Sequence, residues 1–213
     1  MSLSRARASR NSRRSTSGRA TLLTAVTVAG VMTLTSCGGS DDGGKATGSG
    51  GNYVTGPSGI ATVAKGERDE APKLDGGTVD GKTFDTATLK GKVVVLNVWG
   101  SWCPPCRAEA PGFAKVSKEL ADAGKDVAFV GINTRDTSMQ NATSFEEDFG
   151  IAYPSLYDPA GKLMLRFPKG TLNPNAIPST IILDKEGKIA ARTLAPVGEE
   201  QLRSMIDPIL AEQ

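Results

Sequence analysis

The chain has 213 residues, 38% of them hydrophobic, with 25 Lys and Arg against 23 Asp and Glu, which suits one globular domain with flanking segments. Six of the positive charges (Arg5, Arg7, Arg10, Arg13, Arg14, Arg19) lie in the first 36 residues, which hold no acid, so the rest carries 19 against 23 and is net negative. That balance removes the basis for nucleic-acid binding by the folded part, and the absence of histidine excludes Cys-His nucleophilic catalysis.

Residues 20–35 run through Leu, Val, Ala and Thr without a charge and lead into Leu34-Thr35-Ser36-Cys37. A basic stretch followed by a short apolar run is the pattern of an export signal. The run has 16 residues, five of them threonines, which is short against the roughly 20 apolar residues of a membrane span. The four residues ending at Cys37 resemble a bacterial lipobox, which implies removal of residues 1–36 and lipid attachment at Cys37. An uncleaved signal anchor, or cleavage that leaves Cys37 unmodified, stays open at this point. Arg13-Arg14 is followed by Ser15-Thr16-Ser17-Gly18, which does not support a twin-arginine signal. Export would place the remaining cysteines where disulfides persist.

Residues 37–71 are dominated by Gly, Ser, Asp and Lys, a composition too poor in apolar surface to offset chain entropy, and are expected to form a flexible tether with a reach of roughly 30 Å. Short apolar stretches such as residues 60–64 are the parts able to dock. Residues 72–213 have the size of one domain. An Asp80-Gly81 turn between β-prone residues predicts a hairpin over residues 78–84. Residues 93–99 form a nearly continuous apolar run, as in a strand covered on both faces. The segment from 104 to about 123 is helical and stopped by Gly124, and residues 127–133 make a second buried strand. This strand-helix-strand order implies parallel pairing. Asp136 or Thr137 can cap a helix that runs through Phe149, a shorter helix is expected over residues 161–167, and a Pro-rich loop follows. Residues 179–184 and 188–192 flank the turn Lys185-Glu186-Gly187 as an antiparallel hairpin. Residues 199–211 close the domain as an amphipathic helix with Leu202, Ile206, Ile209 and Leu210 on one stripe and a bend at Pro208.

The chemistry concentrates in Trp99-Gly100-Ser101-Trp102-Cys103-Pro104-Pro105-Cys106, which follows a buried strand and opens a helix. Two cysteines separated by two residues on a first helical turn can close a disulfide without moving the backbone. Their closeness marks redox exchange rather than a structural staple. Cys103 falls at the N-cap, where unpaired amides and the helix dipole favour a thiolate. It is expected to attack, with Cys106 buried behind it as the resolving thiol. Pro104 drives Cys103 out of the helical region, as an N-cap requires, and Pro104 and Pro105 forgo only amides that lack helical partners. Neither can donate to the sulfur, which leaves chiefly the Cys106 amide and the dipole. The Cys103 pKa is therefore expected below about 8.5 but far above the roughly 3.5 of the strongest dithiol oxidants. A tetrahedral zinc site needs four ligands, more than this pair can supply in a chain without histidine; Cu(I) held by the two thiolates stays open.

Residues 91–111, and more broadly 72–213, resemble the membrane-tethered TlpA/ResA group of thioredoxin-fold disulfide reductases. The resemblance implies an α/β, thioredoxin-like fold: a central mixed sheet flanked by helices, with an N-terminal β-hairpin and a central helix-containing insertion. It also implies a cis-proline facing the dithiol, matched here by Pro178 in Ile177-Pro178-Ser179-Thr180, with the backbone of Ile177 pairing with an extended client segment. Cytosolic thioredoxins carry a buried acid on the strand before the dithiol; Asn97 stands at that position and cannot ionise. Glu109, three residues after Cys106 on the same helical face, matches the active-site glutamate of the ResA-like group. Burial beside a sulfur would raise its pKa and suit it to proton transfer; a solvated glutamate paired with Arg107 or Lys115 is the plainer alternative. Trp99 is expected in the core and Trp102 on the docking surface, and Pro111 is expected to kink the helix.

The same resemblance implies a reductase that takes electrons from a membrane thiol carrier of the CcdA/DsbD kind. Its implied substrate is a protein disulfide, for ResA-like proteins the oxidised haem-attachment cysteine pair of apocytochrome c. A disulfide-forming oxidase or general exchange enzyme of the same fold is the nearest alternative, and a non-enzymatic binding lipoprotein or Cu(I) carrier is the alternative of another class. A peroxiredoxin-like peroxidase is disfavoured, since that family uses one peroxidatic cysteine rather than a dithiol. No cofactor is expected, and the protein is expected as a lipid-anchored monomer on the extracytoplasmic face of a bacterial cell membrane.

Overall fold

A computed structural model describes residues 52–212, so the expected signal segment, Cys37 and the tether up to residue 51 lie outside the described residues. Two short strands, β1 (Val54–Thr55) and β2 (Ala61–Thr62), come first, followed by an antiparallel hairpin of β3 (Asp75–Gly77) and β4 (Thr83–Asp85). Next come β5 (Val93–Trp99), helix α1 (Pro104–Asp122), β6 (Val127–Thr134) and helix α2 (Met139–Phe149). The chain ends with β7 (Ser155–Asp158), β8 (Ser179–Leu183), β9 (Ile189–Thr193) and helix α3 (Glu199–Leu210). The main sheet has the order β1-β2-β9-β8-β5-β6-β7, and the β3-β4 hairpin forms a second, two-stranded sheet. Parallel to β6 and antiparallel to β8, β5 sits inside a mixed sheet, which is why all seven of its residues are apolar or buried.

Alternation along β5 divides the core. Val93 and Val95 face Phe113 and Val116 of α1 and Leu202 and Ile206 of α3, while Val94, Leu96 and Val98 face Tyr53, Leu74, Leu163 and Met164 on the other side. Full burial of each such side chain contributes roughly 1.5–3 kcal/mol. The same period turns Asn97 and Trp99 toward the helix that carries the dithiol. On α1 the buried residues Cys106, Glu109, Ala110, Phe113, Val116 and Leu120 fall on one helical stripe. The helix stops where Gly124 takes φ +63°, a conformation costly for any side chain.

Several elements differ from the sequence expectation. Ser138 caps α2, its hydroxyl accepting from the Asn141 amide at 3.4 Å, so the helix starts after both Asp136 and Thr137; Asp136 is engaged elsewhere. The helix expected over residues 161–167 contracts to a single 3-10 turn, Met164–Arg166. Strand β7 was not anticipated: it has one aliphatic side chain, Leu156, and forms by pairing in parallel with β6. In α3, Met205 joins Leu202, Ile206 and Ile209 in the buried set, and Leu210 is only partly covered.

The expected tether also needs correction over residues 52–71, which belong to the domain. Strand β2 pairs with β9 through Ala61↔Arg192 and Thr62↔Ala191, and Tyr53, Ala61 and Val63 are buried. The Arg192 guanidinium lies 4.0 Å from the centre of the Tyr53 ring. Arg68 donates to Asp184 at 2.9 Å and to the two oxygens of Glu212 at 2.7 and 2.6 Å, which ties this segment to the β8-β9 turn and to the end of the chain. With the Arg68 and Asp184 side chains 3% and 6% exposed, loss of Arg68, which leaves both acids without their partner, is worth roughly 3 kcal/mol. Residues 60–64 dock as their apolar run predicts; composition concealed the rest because edge pairing is made by backbone groups, which every residue except proline supplies. The added strands also cover the otherwise open edge of β9.

Candidate redox site

At the end of β5 the chain turns through Gly100-Ser101-Trp102 into α1. A Cβ on Gly100 would stand 2.7 Å from Trp102 Cε2 and 2.9 Å from the Thr134 carbonyl oxygen. Glycine there lets Trp102 fold back so that its Nε1 donates to the Thr134 carbonyl at 3.1 Å. Gly131 on β6 has a matching role: a Cβ would lie 2.7 Å from Trp99 Nε1. In that space Trp99 stacks on Phe145 of α2 with ring centroids 4.3 Å apart.

Cys103 is the N-cap of α1, extended at φ −94° and ψ 107°, and Pro104 and Pro105 open the helix. It is joined to Cys106 by a disulfide with Cα atoms 5.3 Å apart. The Cys106 amide, the first in the helix not removed by a proline, donates to Cys103 Sγ at 3.3 Å. Across the site the Ile177–Pro178 bond is cis, and the Ile177 carbonyl oxygen lies 3.7 Å from Cys103 Sγ. Cys103 and Cys106 belong to one buried cluster with Trp99, Ala110, Ala142 and Phe145. Cys103 and Cys106 are 2% and 1% exposed, whereas Trp102 beside them is 46% exposed. Burial therefore does not rank the two sulfurs; the N-cap seat and the amide bond distinguish Cys103. Pro111 lies inside the helix, on the turn after Glu109.

Glu109 is buried, and its two oxygens are separately held: Oε1 accepts from Asn97 Nδ2 at 2.9 Å and Oε2 from the Val197 amide at 3.0 Å. Burial pushes its pKa up to about 7, against the downward pull of those two donors. The solvated alternative is not what forms, because Lys115 bonds Glu199 at 3.0 Å and Arg107 lies 5.0 Å from the centre of the Phe149 ring. The sequence gives no sign of Val197 in the site, and it points to Asp136 only as a helix cap. Asp136, which is buried, accepts from the Ser101 amide at 3.0 Å, from the Ser101 hydroxyl, and from Asn133 Nδ2 at 2.5 Å. The available signal was its place just past the C-terminal end of a buried parallel strand, where open α/β sheets gather their functional groups.

A raised carboxyl pKa has a stability consequence. With about 7 folded against 4.5 as the ordinary value, the folded state binds more protons between those limits. Glu109 therefore lowers stability as pH rises from about 4.5 to about 7, by about 3 kcal/mol. In urea unfolding of the oxidised protein at pH 4 and pH 8, Glu109→Gln should shrink the loss of stability between the two by about that amount. Part of the decline should survive, because burial also pushes the Glu146 pKa to about 7. An unaltered decline would show that Glu109 is not a buried titrating group.

A helix-mouth dithiol following the central strand of a mixed sheet, with a cis-proline opposite, defines a thioredoxin-fold thiol-disulfide oxidoreductase. The Redoxin family is matched over residues 66–207, and the chain belongs to that family. It is 28% identical over 140 residues to the thiol-disulfide oxidoreductase ResA of Bacillus thuringiensis (strain Al Hakam), covering 66% of this chain and 76% of that one. It is similar to the crystal structure of a DsbF homologue from Corynebacterium diphtheriae, with 37% identity, a TM-score of 0.65, and coverage of 72% of this chain and 94% of that one. A secreted thiol-disulfide isomerase from Corynebacterium glutamicum is similar at 31% identity and a TM-score of 0.67, covering 72% of this chain and 93% of that one.

Proposed function

We propose that the protein reduces specific protein disulfides outside the cytoplasm, with Cys103 as nucleophile, Cys106 as resolving thiol and Glu109 as the proton-transfer group. The observation that carries the direction of electron flow is the seat of Cys103. Two prolines precede the single amide on its sulfur, so the thiolate is only modestly stabilised and the dithiol gives up its electrons more readily than in a strong oxidant.

In the reduced enzyme the Cys103 thiolate attacks one client sulfur. A Cys103–client disulfide forms, the client disulfide breaks, and its other sulfur leaves as a thiolate that takes a proton. Glu109 then accepts the proton of Cys106, whose thiolate attacks Cys103 Sγ. The Cys103–Cys106 disulfide closes and the second client sulfur leaves. Two electrons have passed from the dithiol to the client. Beside the nucleophile, the Ile177 backbone and Pro178 offer an extended client segment its docking edge, and Trp102 offers an apolar rim. Pro104 and Pro105 tune the thiolate by the amides they withhold.

The resemblance to the TlpA/ResA group supports the haem-attachment cysteines of apocytochrome c as the client and a membrane thiol carrier of the CcdA/DsbD kind as electron source. The similarity to a secreted isomerase and the export-like leader support the location. Lipid on Cys37 would hold the domain at the membrane surface.

Equilibration of the dithiol with glutathione buffers tests the direction. The expected potential lies nearer the roughly −270 mV of thioredoxin-like reductants than the roughly −120 mV of strong oxidants. A value near the latter would reassign the protein as a disulfide-forming oxidase.

A further inference from the structure

Four consecutive residues at the end of β6 hold both walls of the redox site. Asp136, 3% exposed, accepts from the Ser101 amide at 3.0 Å, from the Ser101 hydroxyl, and from Asn133 Nδ2 at 2.5 Å. The Thr134 carbonyl accepts from Trp102 Nε1 at 3.1 Å. Arg135, between them, has φ +58°, a left-handed conformation rare for a side-chain-bearing residue. Its Nη2 donates to the Pro174 carbonyl at 2.5 Å, in the loop that leads to Ile177–Pro178. Backbone held in such a region persists where its surroundings over-determine it, and such sites gather at functional surfaces. Here the turn sends the Asp136 side chain inward beneath Ser101 while Arg135 reaches the opposite loop.

We propose that Asp136 is a positioning residue for client docking: its hydrogen bonds to Ser101, with the Thr134 carbonyl on Trp102, fix the exposed indole beside Cys103, while Arg135 anchors the facing wall. Asp136 touches neither sulfur. The client this fits is an extended peptide flanking a disulfide, with an apolar side chain resting on Trp102. A small disulfide that presents only its sulfurs does not use the same wall. This role rests on the reductase function proposed above.

The test is single-turnover oxidation of the reduced full chain by two probes: a synthetic decapeptide with a Cys-x-x-Cys disulfide, and 2-hydroxyethyl disulfide. In Asp136→Ala the peptide concentration for half-maximal rate should rise about tenfold, as expected for leaving buried donors without their acceptor. The limiting rate and the rate with the small disulfide should stay within about twofold. Trp102 fluorescence should become more open to acrylamide quenching. Asp136→Asn, which keeps an acceptor for the Ser101 amide, should recover most of the loss, and Ser101→Ala should give about a threefold rise. These two variants carry the test if Asp136→Ala does not fold. Unchanged half-saturation in all variants, or equal losses with both probes, would overturn the proposal. Inertness of the wild-type protein toward both disulfides would instead overturn the reductase function itself.

Discussion

Replacing Cys106 with serine should cut steady-state turnover about a thousandfold or more, because Cys103 can still attack but nothing is left to displace the captured client. The mixed disulfide then accumulates. Non-reducing electrophoresis followed by mass spectrometry should find the client joined to Cys103. Cys103→Ser should lose both turnover and capture. Because Cys103 and Cys106 are almost equally shielded in the disulfide, the assignment rests on the N-cap seat of Cys103 and on the amide bond it receives. Undiminished turnover in Cys106→Ser, or clients captured through Cys106 in Cys103→Ser, would reverse it. The trapped species would also identify the client directly, apocytochrome c or another.

Glu109→Gln should alter how the resolving step depends on pH. In the wild-type protein the ionised carboxyl takes the Cys106 proton, so the rate of resolution should rise with pH and level off above about 7, the value to which burial pushes Glu109. The variant has no base at that position, and its rising limb should move toward the ordinary thiol value of about 8.5. At pH 7 its rate should fall about a hundredfold. Glu146 is an internal control: its pKa is raised to the same value, but it lines a cleft with Thr78, Asp80 and Tyr153 beneath the β3-β4 hairpin. Glu146→Gln should leave the exchange profile where it was. A profile in Glu109→Gln indistinguishable from wild type would make Glu109 a structural residue that bonds Asn97 and Val197 and nothing more.

What was legible in the sequence was local. The bounds of β5 follow from an apolar run broken only by Asn97, and α1 begins where Pro104 and Pro105 allow and ends near Gly124. The dithiol declares itself by spacing and context alone. Asn97 and Glu109 were each recognised, but their hydrogen bond arises only when the period of two on β5 meets the period of 3.6 on α1. What escaped depends on distant partners. Strand β2 exists because β9 offers it an open edge, and β1 because β2 then does; β7 exists because β6 does. None of the three has enough apolar pattern to announce a strand. Val197 reaches Glu109 through a backbone amide 88 positions away in the chain, a contact no side-chain identity encodes. Asp136 looked like a helix cap because aspartate commonly is one. Ser138 took that role and left Asp136 to the turn before the nucleophile.

The account depends on Cys103 being a moderately activated thiolate at the mouth of α1. Alkylation of the reduced protein by iodoacetamide across pH, with each cysteine followed by mass spectrometry, measures this directly. Cys103 should react first, with a midpoint below about 8.5 and well above 3.5. Faster modification of Cys106, or a Cys103 midpoint near 4, would contradict it.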